Sequence, residues 1–258
     1  MNVVTLTECV TRFIEAGIAS GDTLMVHASL KAVGWISGGA NTVVDALLQT
    51  IGPSGTLIVP AQYTANLEPG LLDQPVDPQV AKALRESQPP FRGKATHLST
   101  MGALTTTVLL DERSKVSDHP TMALAALGKH AKWITSEHPI SPAFGAQSPY
   151  AKAVELNAKV LLIGVDASCL SVMHTAQVQT NSLPWCIHTM SIGTPEAPTR
   201  TQVLDYAYTS ADFIAIANAY AKDNVVQTSR LGNAAAVCYE TKTLIPFAKA
   251  WMERNLAG

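Results

Sequence analysis

A single histidine, His174, lies within the segment LSVMHTAQVQ (170–179), which is typical of a helix and carries Gln177 three residues later. An imidazole with an ordinary pKa of about 6.5 exchanges protons near neutral pH, so it is suited to general-base catalysis. The apolar run KVLLIG (159–164) just before it predicts a buried strand. Segments that follow the carboxyl ends of strands line the ligand crevice of open α/β sheets. His174 is therefore a candidate base, although a lone histidine on a helix is more often a structural residue.

A glycine pair provides a second candidate site. The predicted strand TLMVH (23–27) is followed by small and hydroxyl residues and then by Gly38 and Gly39, just before a predicted helix. Glycine lets the backbone approach a ligand closely, and the free N–H groups of a helix start bind phosphate or pyrophosphate. An ordinary glycine turn explains the same residues equally well.

His119 is a third candidate, in the segment SDHPTMALAALG (117–128). Because the residue before a proline is held extended, Pro120 predicts that the His119 ring is exposed beside the start of a helix. This signal is weak by itself.

Other catalytic patterns are missing from the sequence. It contains no GxGxxG or GxxxxGK[ST] phosphate loop and no GxSxG hydrolase elbow, so Ser54 in GPSG is assigned to a turn. Cys186 and His188 could share a metal ion only if they lay on a strand and further ligands joined them. We therefore predict no metal site, and we expect His130 and His138 to be structural.

Composition narrows the class of protein. The 258 residues are 47% hydrophobic, which is enough for a substantial core. With 18 Lys and Arg against 20 Asp and Glu, a net charge of -2 and no basic run interleaved with aromatics, neither nucleic acid nor an anionic membrane is an expected partner. The four dispersed cysteines, without a CxxC pair or signal peptide, indicate reduced thiols in the cytoplasm. No apolar run approaches the roughly 20 residues of a membrane-spanning helix.

The elements that must position these residues alternate between helix and strand. TLTE forms a capping box with Thr5 as cap and Glu8 three residues later, which predicts a first helix. Asn41 is the expected cap of the helix TVVDALLQTI, a strand follows at 56–60, and Ser148 before a proline opens another helix. This alternation predicts an α/β fold.

The remaining segments complete a single domain over residues 1–258. Residues 64–98 carry several prolines and little periodicity, so they predict a long surface loop. The last third predicts a strand near 199–207, a helix over about 210–222, a strand AAAVCYE (234–240) and a final helix LIPFAKAWMERNL (244–256). No repeat or linker divides the chain.

Taken in order, several segments resemble the aminoglycoside 3-N-acetyltransferase family, which are antibiotic acetyltransferases unrelated in fold to the GNAT enzymes. The similarity covers nearly the whole chain and lies in the ordered set rather than in one motif. The matching segments are LMVHASLKAVGWISGGANTVVDALLQTIGPSGTLIVP, STMGAL, SDHPTMALAALGKHA, SEHPISPAFGAQSPYAKAVELNAKVLLIGVD and MHTAQ.

The resemblance implies a mixed α/β fold with a central sheet flanked by helices. It also implies acetyl-CoA as cosubstrate, no metal, and direct transfer of the acetyl group to an amine within a ternary complex. His174 falls on the family's general base, and Ser171 and Gln177 fall on neighbouring catalytic positions. The positions that match coenzyme-binding segments are Ser29, Leu30, Lys31, Gly38, Gly39, Met101, Gly102, Ser117, His119 and Pro120.

The chain also departs from the family pattern. Family members usually carry glutamate three residues after the histidine, in the pattern HLAE, whereas Gln177 stands here. An amide forms hydrogen bonds but does not stabilise an imidazolium as a carboxylate does. The usual arginine two positions before Asp118 is Val116, and Leu170 with Ser171 replaces an Asn-Thr pair, so only the hydroxyl is kept.

The composition also bears on which amine accepts the acetyl group. Aminoglycosides are polycations, and a site for them should be acidic, yet only 15% of the residues are charged. Glu196, Asp205 and Asp212 are the candidate carboxylates, although each is more often an ordinary surface residue. The sequence is thus compatible with three hypotheses. The protein acetylates an aminoglycoside and confers resistance, it acetylates a less cationic small-molecule amine, or it binds CoA without catalysing a reaction. It makes no prediction of oligomeric state.

Overall fold

The computed structural model describes residues 3–71, 76–98 and 100–256. Residues 72–75 of the predicted loop, Ser99 of STMGAL and both chain ends lie outside these described ranges. The helices are α1 (Leu6–Glu15), α2 (Leu30–Val33), α3 (Gly39–Ile51), α4 (Pro78–Ser87), α5 (Ala103–Leu110), α6 (Ala131–Thr135), α7 (Pro149–Glu155), α8 (His174–Thr180), α9 (Phe213–Asp223) and α10 (Thr241–Asn255). The strands are β1 (Thr23–Ala28), β2 (Thr56–Pro60), β3 (Lys115–Val116), β4 (Leu124–Gly128), β5 (Lys159–Ile163), β6 (Trp185–Thr194), β7 (Ala197–Tyr206), β8 (Gln227–Leu231) and β9 (Ala234–Glu240).

A seven-stranded mixed sheet forms the centre of the molecule, in the order β3-β4-β2-β1-β5-β9-β8. Strands β2, β1 and β5 are parallel, so their carboxyl ends meet at the same edge. Strand β4 pairs antiparallel with β2, and β9 pairs antiparallel with β5. Strands β3 and β8 are the two edge strands. The parallel centre places a crevice at the edge where β1, β2 and β5 end.

Alternate residues of the central strands pack against two layers of helices. Leu24 and Val26 of β1 face the layer that contains α1, α3 and α5. Met25 faces the opposite layer, which contains α6 to α10. Each fully buried aliphatic side chain of this kind stabilises the fold by about 2 kcal/mol. The predicted α/β class, with a central sheet flanked by helices, is confirmed.

Strands β6 and β7 form a separate two-stranded hairpin. The fully buried side chain of Asn66 accepts a hydrogen bond from the Ser191 amide and donates to the Ser191 and Pro120 carbonyl oxygens. One amide therefore fixes the hairpin to the segment that leads into β4.

Several local predictions are confirmed. Thr5 Oγ1 accepts from the amide of Glu8 at the start of α1, and Ser148 Oγ accepts from the amide of Ala151 at the start of α7. The predicted strands at 23–27, 56–60, 159–164 and 234–240 correspond to β1, β2, β5 and β9. Within the described ranges, no helix is long and apolar enough to cross a membrane.

Three predictions need correction. Helix α3 begins at Gly39 and its cap is Gly38 in the left-handed region, so Asn41 lies inside the helix. The predicted loop at 64–98 contains α4, whose cap Asp77 accepts from two backbone amides before a proline at the first helical position. Residues 124–128 form β4 rather than a helix, and His119 is only 1% exposed.

Candidate active site

A cavity of about 470 Å³ lies where the parallel strands end. It is bounded by the last residues of β1, the end of β2, the turn that leads into α5, and the short 3-10 turns before α8. The lining residues include Val26, His27, Ala28, Pro60, Gln62, Thr100, Met101, Gly102, Thr105, Val165, Ser168, Cys169, Ser171, His174 and Ser210. The crevice predicted beyond the strand ends is therefore present, and His174 and Ser171 both border it.

The hydrogen bonds of Gln177 define the tautomer of His174. Gln177 Nε2 donates to the carbonyl oxygen of Thr209 at 2.7 Å, and a carbonyl can only accept, so the orientation of the amide is determined. Its Oε1 lies 2.6 Å from Nδ1 of His174. The proton of the neutral ring must therefore be on Nδ1, which leaves the lone pair of Nε2 free to take a proton.

Aromatic side chains enclose the His174 ring. The ring centroids of Phe144, Phe213 and Tyr208 lie 4.5, 4.8 and 5.5 Å from it. Burial lowers the pKa of His174 to about 4, and the hydrogen bond to Gln177 opposes this shift only in part. His174 is therefore neutral at pH 7, which is the protonation state that a general base needs. This aromatic enclosure could not be predicted from the sequence, because its members are far apart in the chain.

Asp205, a predicted carboxylate for binding the acceptor, does not line the cavity. It is 3% exposed, and its carboxylate accepts hydrogen bonds from the backbone amides of Ala143 and Tyr206 and from the Tyr208 hydroxyl. These donors occupy both carboxylate oxygens. Asp205 therefore holds Tyr208 and the loop at Ala143 in place behind His174.

The other predicted acceptor residues also lie away from the cavity. Glu196 is exposed at the turn of the β6–β7 hairpin, and Asp212 precedes α9. Neither is among the residues that line the cavity, and none of the described lining residues carries a carboxylate. Cys186 and His188 lie on β6 with Sγ and Nε2 3.1 Å apart, but the described residues contain no group of three potential metal ligands.

The first of the predicted coenzyme segments lie at the starts of α2 and α3. Ser29 caps α2 directly after β1, and its amide donates to the Ile163 carbonyl of β5 at 2.8 Å, with Leu30 and Lys31 opening the helix. Gly38 and Gly39 have φ of +80° and +61°, and no side chain caps α3. The Gly39 amide donates to the Ile36 carbonyl, so the other backbone amides at the start of this 13-residue helix are the ones that suit a pyrophosphate.

The remaining segments that were predicted to bind the coenzyme divide into two groups. Met101 and Gly102 line the cavity, and a Cβ at Gly102 would lie 3.3 Å from the Ala28 carbonyl oxygen, so this backbone approach favours glycine. Ser117, His119 and Pro120 are buried and do not border the cavity. His119 Nε2 bonds to the Ile140 carbonyl, and its Nδ1 accepts from backbone amides, so both ring nitrogens are occupied.

Two further lining residues were not predicted. Cys169 borders the cavity, but burial raises the pKa of its thiol, with the Asp166 carboxylate adding to the shift against a hydrogen bond to Ser168. A protonated thiol is a poor nucleophile, which disfavours an acyl-cysteine intermediate. His27 lies on β1 and is 7% exposed within the same cavity. Its position at the end of a central strand was the available signal in the sequence.

Comparison with known sequences gives a consistent result. A family model described as aminoglycoside 3-N-acetyltransferase matches residues 25–253. The chain is 26% identical over 245 residues to the SPbeta prophage-derived aminoglycoside N(3')-acetyltransferase-like protein YokD of Bacillus subtilis, across 93% of this chain and 89% of that protein. It is 34% identical over 178 residues to aminoglycoside N(3)-acetyltransferase III of a Salmonella species, where the match spans 67% of this chain but only 58% of the relative.

Solved structures share the fold. The crystal structure of YokD from Bacillus subtilis matches with a TM-score of 0.92 at 24% identity, covering 99% of this chain and 95% of that one. AAC-IIIb in its binary complex with CoASH matches with a TM-score of 0.85 at 25% identity, covering 99% and 98%.

Proposed function

The chain belongs to the aminoglycoside 3-N-acetyltransferase family, and on that premise we propose that it transfers an acetyl group from acetyl-CoA to an amine of a small molecule, with His174 as general base. The observation that carries this proposal is the hydrogen-bond chain from the Thr209 carbonyl through Gln177 to Nδ1 of His174. It leaves an unprotonated Nε2 on a residue that borders the cavity. An amine that attacks a thioester must lose a proton, and this nitrogen can take it.

In this mechanism each residue has a separate task. His174 Nε2 accepts the proton of the amine as its nitrogen bonds to the acetyl carbon, and His174 then returns the proton to the departing thiolate. Gln177 keeps the ring in the required tautomer and orientation. Ser171 Oγ makes only a long bond of 3.4 Å, to the Cys169 carbonyl, so its hydroxyl can turn toward a ligand in the cavity.

The coenzyme would lie along the segments that precede the helices on this edge of the sheet. The uncapped start of α3 at Gly38 and Gly39 would bind the pyrophosphate, and Met101 and Gly102 would line the path of the pantetheine arm. The match to a relative solved with CoASH supports this assignment. Ser117, His119 and Pro120 would support the wall from behind rather than touch the ligand.

The names of the relatives favour an aminoglycoside as acceptor. A second candidate is an amine with fewer positive charges, and the structure offers a specific reason for it. The described residues that line the cavity include serines, threonines and histidines but no carboxylate, whereas a polycation is best bound by acidic groups.

The four cysteines are unpaired, in keeping with a cytoplasmic enzyme.

A thiol-release assay tests this proposal and separates the candidates. We expect acetyl-CoA to be consumed with at least one member of a panel that contains aminoglycosides and simple amino sugars, and the charge of the best acceptor decides between the two classes. His174→Ala should reduce kcat by roughly 10²-fold to 10⁴-fold while CoA affinity stays unchanged. The exposed His97→Ala is the matched control. Full activity in His174→Ala would overturn the assignment, and CoA binding without transfer to any amine would favour a non-catalytic role.

A further inference from the structure

His27 is a second histidine in the same cavity, and its bonding differs from that of the other buried histidines. Its Nε2 is closed to solvent and has no hydrogen-bond partner among the described residues. His119 and His138, by contrast, each donate through Nε2 to a backbone carbonyl, and each Nδ1 has a partner as well. Those two are satisfied structural residues, whereas His27 has hydrogen-bonding capacity that the protein itself does not use.

The enclosure of Nε2 defines which nitrogen of His27 carries the proton. Burial lowers the pKa of His27 to about 4, so the ring is neutral at pH 7 and has a single N–H. A proton on Nε2 would leave a buried donor without an acceptor and would turn the Nδ1 lone pair toward a ligand oxygen. A proton on Nδ1 leaves only the Nε2 lone pair unmatched, so once a carbonyl oxygen occupies the cavity the proton belongs on Nδ1, which by elimination is the ring nitrogen that the ligand could reach.

We propose that His27 is a second catalytic residue, a neutral N–H donor that binds the carbonyl oxygen of the acyl thioester. This role rests on the proposed function. The two imidazoles border one cavity and have different tasks: His174 accepts a proton through its Nε2 lone pair, and His27 donates a hydrogen bond through its N–H. His27 is also close in the chain to the coenzyme segment, since Ala28 and Ser29 follow it directly.

The electron balance shows what this donor does. The amine lone pair forms the new C–N bond while the carbonyl π pair moves onto the oxygen, which then carries negative charge beside the His27 N–H. As the pair returns, the C–S bond breaks and the thiolate takes the proton held by His174. His27 neither gains nor loses a proton. A neutral donor is suited to this task, and one donor to such an oxygen typically contributes 10²-fold to 10³-fold to kcat, on the order of 3–4 kcal/mol.

Kinetics of two His27 variants test the role. We expect His27→Leu to lower kcat by roughly 10²-fold, with KM for acetyl-CoA changed by less than about threefold. His27→Gln, whose amide can donate, should recover part of the loss. The exposed His97→Leu is the control and should leave kcat unchanged. A kcat in His27→Leu equal to that of the wild type would overturn the proposal while leaving the acetyltransferase function intact.

Infrared difference spectroscopy gives a readout that needs no acceptor. With acetyl-CoA labelled by ¹³C at the thioester carbonyl, the wild type should shift the carbonyl stretch to lower frequency, and His27→Leu should abolish this shift. Equal frequencies in the two proteins would refute the proposal even if no amine were acetylated. In the wild-type protein with acetyl-CoA bound, ¹⁵N NMR should find His27 protonated on Nδ1. A proton on Nε2 would also refute it, and this measurement does not depend on whether a variant folds.

Discussion

At the scale of single residues, Gln177 replaces a carboxylate by using both ends of its amide. One end donates to the Thr209 carbonyl, and the other accepts from His174 Nδ1. A carboxylate at this position would leave two acceptors facing each other at Thr209, with no proton between them. The surroundings of Gln177 are therefore matched to an amide, and its presence is not simply the loss of a charge.

We expect Gln177→Glu to raise the pKa of His174 from its value of about 4, because a carboxylate beside Nδ1 stabilises the imidazolium. Since only the unprotonated ring can accept a proton, the acid limb of the kcat/KM profile should move to higher pH. An NMR titration of His174 and a pH–rate profile measure this shift.

Gln177→Leu is the matched control for this change. It removes both hydrogen bonds without adding charge, so kcat should fall without an upward shift of the acid limb. Superimposable acid limbs in the wild type and Gln177→Glu would contradict the proposed contact between Gln177 and the base.

At the scale of secondary-structure elements, the start of α3 depends on two left-handed glycines that face different surroundings. A Cβ at Gly38 would collide with the hydroxyl of Thr42, which donates to the Ser37 carbonyl. A Cβ at Gly39 would meet nothing within 4 Å. Substitution at either position costs the left-handed penalty of about 1 kcal/mol, but only the first adds a steric conflict.

We therefore expect Gly38→Ala to lower the free energy of unfolding by more than Gly39→Ala does, with the latter costing about 1 kcal/mol. Urea denaturation measures both values. Titration with CoA should also show weaker binding for Gly38→Ala, because the displaced turn carries the amides proposed for the pyrophosphate. Equal stability and unchanged CoA affinity in the two variants would contradict this description of the turn.

The elements also show what the sequence could and could not predict. Strands β1, β2 and β5 are buried on both faces, so their uninterrupted apolar runs were clear signals. Strand β4 was missed because LAALG consists mostly of strong helix formers, and its pairing with β2 overrides that preference. Helix α4 was missed although Asp77 and Pro78 carry the usual start signal. The burial of Asp205 could not be predicted, because its donors come from two different segments.

At the scale of the whole molecule, buried neutral histidines link stability to pH. Burial lowers the pKa of His27, His119 and His174 from 6.5 to about 4, and that of His138 to about 3. In the unfolded chain these rings bind protons near pH 6.5, so the unfolded state gains protons first as the pH falls. Their contribution is complete above pH 6.5 and is lost as the pH falls toward 4.

We expect the free energy of unfolding to decrease between pH 7.5 and pH 5, with a slope of up to about 1.4 kcal/mol per pH unit for each buried histidine. Urea denaturation across this range measures the slope. His138→Gln should reduce it, and the exposed His97→Gln should not. A free energy of unfolding that stays constant over this range would contradict the neutral, buried state of these rings.

The order of strands in the sheet also governs what happens during synthesis on the ribosome. Strand β1 emerges early, but its neighbour β5 ends at residue 163, and the second neighbour of β5 is β9, which ends at residue 240. Until β9 has been translated, β5 presents an open edge of unpaired backbone groups, which favours association with other chains. Premature termination between residues 211 and 233 therefore yields fragments prone to aggregation, even though every lining residue of the cavity has already been made.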